Sequence, residues 1–329
     1  MTEYMTEILL IFWIISSVFI VFERKIYRII IYFGIFSLIT SVVYLFLGGP
    51  DVAMAEAGIS AFATIFFLVC IEKYYSDGEN REKEKQPAEK QWKRLGGVLP
   101  ALLFCVALCG LFIYFVPQVT VSTYLKELYL DRFTHDVGGL NAVTSIYLGY
   151  RVYDTLFEAL ILVIAVVAVG HMSWYEKQTV PDGRHSEIES SVMAKFTMRI
   201  ICPMLLIFGA YLIANGHISA GGGFQGGLAV AAFFICRFMV YGIYDMPVNT
   251  VIKLEEFIFI NIIIVPIIAI FTGTTFFAEG TTPFTQNFYL IAMNILIGAK
   301  VACGFFVLFY HYVAIERLPD GKLGKIAEL

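Results

Sequence analysis

Residues 141–172, NAVTSIYLGYRVYDTLFEALILVIAVVAVGHM, decide how the chain is read. The second half is an apolar run long enough to cross a bilayer. Arg151, Asp154 and Glu158 stand at and just inside its start. Helical spacings of three and four put all three on one face. Glu158 then lies about 6 Å beyond Asp154 along the axis, at 1.5 Å rise per residue. A carboxylate entering lipid is costly unless it faces protein, water or a partner charge. The pattern therefore asks for a protein-lined polar site at membrane depth. The plainer alternative is a clamp in which Arg151 satisfies both acids and nothing moves.

The totals point the same way. Of 329 residues, 59% are hydrophobic and 15% charged, and the mean hydropathy is +0.76. That balance belongs to an all-α polytopic membrane protein. A net charge of -4 without a basic patch excludes a nucleic-acid partner. Cys70, Cys105, Cys109, Cys202, Cys236 and Cys303 all fall in apolar runs, with no C-x-x-C pair. The sequence therefore predicts no cofactor and no metal in this chain, and buried free thiols. The first apolar run follows the acidic MTEYMTE and has no small-residue cleavage site before Glu23, so it reads as a retained span.

About nine spans are predicted, in three modules. Residues 1–75 hold three, near 7–22, 29–47 and 52–75. A charged linker, 76–96, carries ENREKEKQPAEKQWKR. Residues 97–173 hold two more, near 97–116 and 155–172, with 141–150 as an interfacial or partly inserted helix. A polar linker covers 174–194, four spans fall within 195–316, and 317–329 form a polar tail. There is no internal repeat, which weakens the reading as a free-standing secondary transporter. The charged linkers, the Arg24–Arg28 turn, Lys253 and the tail all fall on one side, whereas Lys126 and Arg132 are the cations of the loops on the other. The positive-inside rule then puts the N-terminus outside and the C-terminus in the cytoplasm, for a chain in the cell membrane.

Three further groups stand at membrane depth. Asp51, after the turn Gly48–Gly49–Pro50, opens a helix that carries Glu56 among alanines, Gly58 and Ser60. The acid there serves either helix packing or ion passage. Lys300 lies mid-span, too deep to snorkel, and must be paired, hydrated or neutral; Glu158 and Glu56 are its candidate partners. Arg237, near a span end, can snorkel. Within NGHISAGGGFQGG (215–227), Gly221, Gly223 and Gly226 satisfy G-x-G-x-x-G, but a membrane span precedes them where a strand belongs, so nucleotide binding is rejected. Gly222/Gly226 and Gly223/Gly227 are instead small-xxx-small pairs for close helix packing. His217 and Gln225 are candidate contacts to an ion path, although a surface loop suits His217 as well.

Several of these stretches resemble a known family. GGPDVAMAEAGISAFATIFFLV (48–69) is similar to a three-span module in the C-terminal part of the largest, A-type chain of Mrp-type Na+/H+ antiporters. Residues 141–170 resemble the module that follows it, and NGHISAGGGFQGGLAVAAFF (215–234) with NILIGAKVACGFFVLF (294–309) resemble the B-type chain. The same modules recur as the D, E and F chains of membrane-bound hydrogenases and sulfur-reducing relatives. The resemblance implies an ion-pathway role for Asp51, Glu56, Arg151, Asp154, Glu158 and Lys300. Tyr150-Arg151-Val152-Tyr153 departs from the family's usual Asp-Phe-Arg-Gly, so the acid before the arginine is replaced. The chain starts directly at the first module, without the large antiporter-like region of the A-type chain, which favours the hydrogenase type. What the resemblance implies is a non-redox subunit of a ferredoxin-driven pump for Na+ or H+, partnered by other Mrp-type subunits and a hydrogenase-type membrane arm. An Mrp antiporter component and a non-conducting scaffold are the alternatives.

Overall fold

The computed structural model describes residues 2–23, 25–75, 103–114, 123–176, 192–241, 248–271 and 283–313. The charged linker 76–96 and the tail lie outside these residues; of the polar linker 174–194, residues 177–191 lie outside, and its two ends are helical. The helices are α1 (Thr2–Phe22), α2 (Ile26–Phe46), α3 (Pro50–Tyr75), α4 (Leu103–Tyr114), α5 (Tyr124–Asp136), α6 (Ala142–Ser145), α7 (Val152–Glu176), α8 (Val192–Asn215), α9 (Gly223–Tyr241), α10 (Val248–Phe271) and α11 (Pro283–Val313). Eight of them, α1–α3 and α7–α11, are long and apolar enough to span a membrane. The chain is thus a multi-pass, helical membrane protein. The expected span near 97–116 is described only over α4, which is shorter.

The chain divides into two compact units, Met1–Cys70 with Arg132–Leu329, and Ile71–Asp131. In the smaller unit α4 exposes its apolar side chains, among them Phe104, Phe112 and Ile113. In the larger unit α11 is the central element. Leu290, Met293, Val307 and Phe309 are fully buried, and α11 packs against α7, α8, α9 and α10. Aromatic edges join it to α3: Phe62 meets Phe305 and Phe66 meets Tyr312, with ring centroids 4.6 Å apart in both pairs. α1 pairs with α2, where Trp13 stacks on Phe36 and donates to Thr40.

The predicted interfacial helix at 141–150 is a buried structural joint. Asn141 caps α6 by accepting from Val143 N at 3.0 Å. The chain then widens into a π-helix over Ile146–Tyr150, closed by Arg151 N donating to Ile146 O at 2.8 Å. Widening frees carbonyl groups, and side chains take them up. Thr155 Oγ1 donates to Tyr147 O at 2.7 Å and Tyr289 Oη to Leu148 O at 3.1 Å. This satisfaction by neighbours permits irregular backbone inside a membrane protein.

Candidate ion-path site

The first module meets the third at Asp51. Its Oδ1 accepts from Asn141 Nδ2 at 3.1 Å and from Gly221 N at 2.9 Å. Its backbone carbonyl accepts from Gln225 Nε2 at 3.3 Å. Asp51 is buried, so these donors replace the water it has lost. Asn141 Nδ2 also reaches Gly216 O and Ser219 O, and Thr144 Oγ1 donates to Gly216 O at 2.6 Å. The turn between α8 and α9 is thereby tied to α3 and α6. His217 lies in this turn, its carbonyl accepting from Leu140 N and Asn141 N. Its Nδ1 is buried and has no hydrogen-bond partner among the described residues.

Asn294, fully buried on α11, completes the cluster. Its Oδ1 accepts from Tyr147 Oη and from Gly223 N, both at 3.0 Å. Burial pushes the Tyr147 phenol up to about 12, and the nearby carboxylates of Asp51 and Glu158 push the same way. Tyr147 therefore stays a neutral donor. Asn294, Tyr147 and Asn141 are site residues that the sequence alone does not single out. A polar residue in an apolar run, such as the Asn of AMNILIG, is the available signal.

Glu56 is separate. It accepts a short hydrogen bond from Ser37 of α2, about 8 Å along α3 from Asp51 at 1.5 Å per residue. Arg151 and Asp154 form an ion pair with side chains 62% and 56% exposed. Glu158 is exposed on the same side and has no ion pair among the described residues. The clamp of one arginine on two acids is therefore realised only for Asp154.

Lys300 requires a correction. It is ion-paired to Glu255 of α10, and not to Glu158 or Glu56. Both members are sealed, at 1% and 3% exposure, with the Phe259 ring 5.3 Å from Nζ. Glu255 escapes the sequence reading because the apolar run begins at Leu254, which puts the acid at the surface. α10 begins at Val248, so Glu255 lies about 10 Å along it, at 1.5 Å per residue. Glu158 does not join that pair: it is exposed on α7, whereas its neighbour Ala159 is buried.

The glycines do what small-xxx-small spacing predicts, against two partners. A Cβ on Gly223 would lie 2.6 Å from Asn294 O, and one on Gly227 would lie 2.6 Å from Gly298 O, both on α11. A Cβ on Gly226 would lie 2.7 Å from Gly209 O on α8. Gly222 is held at φ +150° beneath Tyr147, whose Oη would be 2.5 Å from an added Cβ. Among the described residues, no group of His, Cys, Asp and Glu is placed to hold a metal ion.

The chain is similar to known proteins over much of its length. Residues 193–315 match the domain related to the MnhB subunit of Na+/H+ antiporters. Residues 11–75 match the MbhD family, the D component of MBH. A probable K+/H+ antiporter protein of the combined A/B type, from Rhizobium meliloti, is 25% identical over 248 residues, which are 67% of this chain and 24% of that protein. In structure, the chain is similar over 90% of its length to a chain of the Mrp complex from Dietzia sp. DQ12-45-1b, with a TM-score of 0.66, 18% identity and 34% of that chain covered. It is also similar over 68% of its length to a chain of the membrane-bound sulfane sulfur reductase, an archaeal respiratory complex, with a TM-score of 0.57, 25% identity and 99% of that chain covered. The chain thus spans about a quarter of the Rhizobium relative and a third of the Dietzia chain. It is built from Mrp-type modules, one of the MbhD kind at 11–75 and one related to MnhB at 193–315.

Proposed function

We propose that this chain is a non-redox membrane subunit of a multi-subunit complex, forming part of the sodium or proton translocation module of a membrane-bound hydrogenase-type, ferredoxin-driven pump. The observation that carries this reading is the pair Lys300–Glu255, a mid-span cation and the acid it meets, both sealed within the MnhB-related segment. Ionisable groups at that depth are expensive to keep and mark ion pathways. A buried lysine also changes protonation readily. Asp51, Glu56, Arg151, Asp154 and Glu158 supply further polar groups in the other modules, and His217 and Gln225 do so in the same one. Redox centres belong to other subunits, and the charged linkers face the cytoplasm. The antiporter reading, with no redox drive, is favoured by the Rhizobium relative, which is named as part of a K+/H+ antiporter.

The deciding experiment uses vesicles that hold the purified complex. Sodium or proton uptake on addition of reduced ferredoxin supports the pump. Exchange that needs an imposed ion gradient and ignores ferredoxin supports the antiporter. Assembled complexes with Glu255→Gln or Lys300→Met are expected to lose uptake. Wild-type uptake in both would remove the pair from ion movement and leave the scaffold reading ahead.

A further inference from the structure

Glu56 is an acid at membrane depth that no cation of this chain balances among the described residues. It is half-buried on α3, and Ser37 of α2 donates its hydroxyl to Oε1. The face of α3 that carries Glu56 continues with Ser60 and Thr64, at spacings of four. That face is turned to α2 at both ends. Ser37 meets Glu56, and a Cβ on Gly34 would lie 2.8 Å from Thr64 Oγ1. Ser60 falls between them. It is only 8% exposed, and its hydroxyl makes no hydrogen bond among the described residues. The other side of α3 belongs to a different contact, Gly58 against Leu228 of α9.

Asp51, on the same helix, shows what is particular here. Its carboxylate accepts from Asn141 Nδ2 and Gly221 N. Amide N–H groups satisfy an acid but offer a metal ion no lone pair. The groups that α2 and α3 bring to Glu56 are hydroxyls instead. A hydroxyl has two lone pairs beside its proton, so it can donate to the carboxylate or ligate a cation that the carboxylate holds. Sets of oxygen ligands suit hard cations. One carboxylate balances one positive charge, and a second would stand uncompensated where bare charge is costly. Side chains four apart on a helix have Cβ atoms about 5–6 Å from each other, which lets one ion touch Glu56 and Ser60 together.

We propose that Glu56, with the hydroxyls of Ser37 and Ser60, binds one monovalent alkali cation between α2 and α3. Thr64 offers the next hydroxyl, about 6 Å further along α3 at 1.5 Å per residue. The site rests on the reading of this chain as part of an ion-moving module.

The test counts radioactive sodium bound at equilibrium to the assembled complex, with no reductant and no ion gradient. Glu56→Gln is expected to bind one sodium fewer per complex than the wild type. Ser60→Ala removes one ligand and little volume, and should weaken binding at that site by roughly ten-fold. Ile59→Ala, on the exposed side of the same helix, should change neither. An unchanged count in Glu56→Gln would overturn the site, and so would an unchanged affinity in Ser60→Ala. If Glu56→Gln does not assemble, Ser60→Ala decides alone. The ferredoxin uptake assay on the same complexes separates this site from the pump. Ferredoxin-driven uptake with the full sodium count in Glu56→Gln removes the site and leaves the pump. Loss of one sodium in Glu56→Gln, from a complex that ignores ferredoxin, keeps the site and removes the pump.

Discussion

Two charged groups at membrane depth differ in one respect that determines everything else about them. Lys300 and Glu255 face each other inside the bundle and are sealed from all solvent. Arg151, Asp154 and Glu158 line the outside of α7, beside Tyr153, Phe157 and Ile161, which are more than 60% exposed. The first group has its partners within the chain. The second has an acid, Glu158, with no ion pair among the described residues, and a carboxylate that faces lipid is costly. A sealed pair fixes its own helices, whereas an exposed row organises a surface for something else. The two groups should therefore respond to mutation in opposite ways.

The largest effect is expected at the sealed pair. Lys300→Met leaves Glu255 buried and alone, and breaking a buried pair in this way costs about 3–5 kcal/mol. The thermal unfolding midpoint of the purified protein should fall accordingly. Glu255→Leu combined with Lys300→Met removes both charges and should recover most of that loss, since apolar replacement of a whole pair is often neutral or better. If the double variant melts as early as the single one, the pair is not the source of the effect. If it recovers stability but not ion uptake, the charges serve transport.

A smaller loss is expected from Gly227→Ala. One methyl group would stand 2.6 Å from Gly298 O and 2.8 Å from Val301 Cβ. Backbone cannot yield as a side-chain tip can, so α9 and α11 must part, at about 1–3 kcal/mol. An unchanged melting midpoint would show that the helices have slack there. Smaller again is Tyr147→Phe, which deletes the hydroxyl bonded to Asn294 but leaves Gly223 N in place. The net cost of one such hydrogen bond is about 1 kcal/mol, and proton exchange at the Gly223 amide should quicken if Asn294 loosens.

The spans are legible in the sequence because long apolar runs and charged linkers need no tertiary information. GGGFQGG is legible for a similar reason: close packing of helices demands small residues at spacings of four. What cannot be read is which way each charged residue points. A soluble helix marks its buried face by being polar on the other. A membrane helix is apolar all round, so α7 gives no sign that Glu158 lies outside and Ala159 inside. Only packing against α11 settles that. Glu255 is hidden for a related reason, since a shift of six residues in where α10 begins moves an acid from the surface to the interior. The junction at Asp51 is half visible. The helix start is plain, but its partners Asn141 and Gly221 are 90 and 170 residues away.

The smallest effect on stability, and the sharpest on function, belongs to Glu158→Gln. The side chain is exposed and holds no ion pair among the described residues, so removing its charge should leave the melting midpoint of this chain where it was. Arg151 keeps Asp154 and is not released. Glutamine preserves shape and hydrogen-bonding reach while abolishing titration. If Glu158 takes part in moving ions, uptake into vesicles should fall while the complex assembles at the wild-type level. If it instead pairs with a cation of a neighbouring protein in the complex, the yield of assembled complex should fall, and Glu158→Asp should restore part of it. Gel filtration of the complex separates these outcomes from one another. Wild-type uptake together with wild-type assembly would show that Glu158 does neither, and the contrast between the sealed pair and the exposed row would then be one of burial alone.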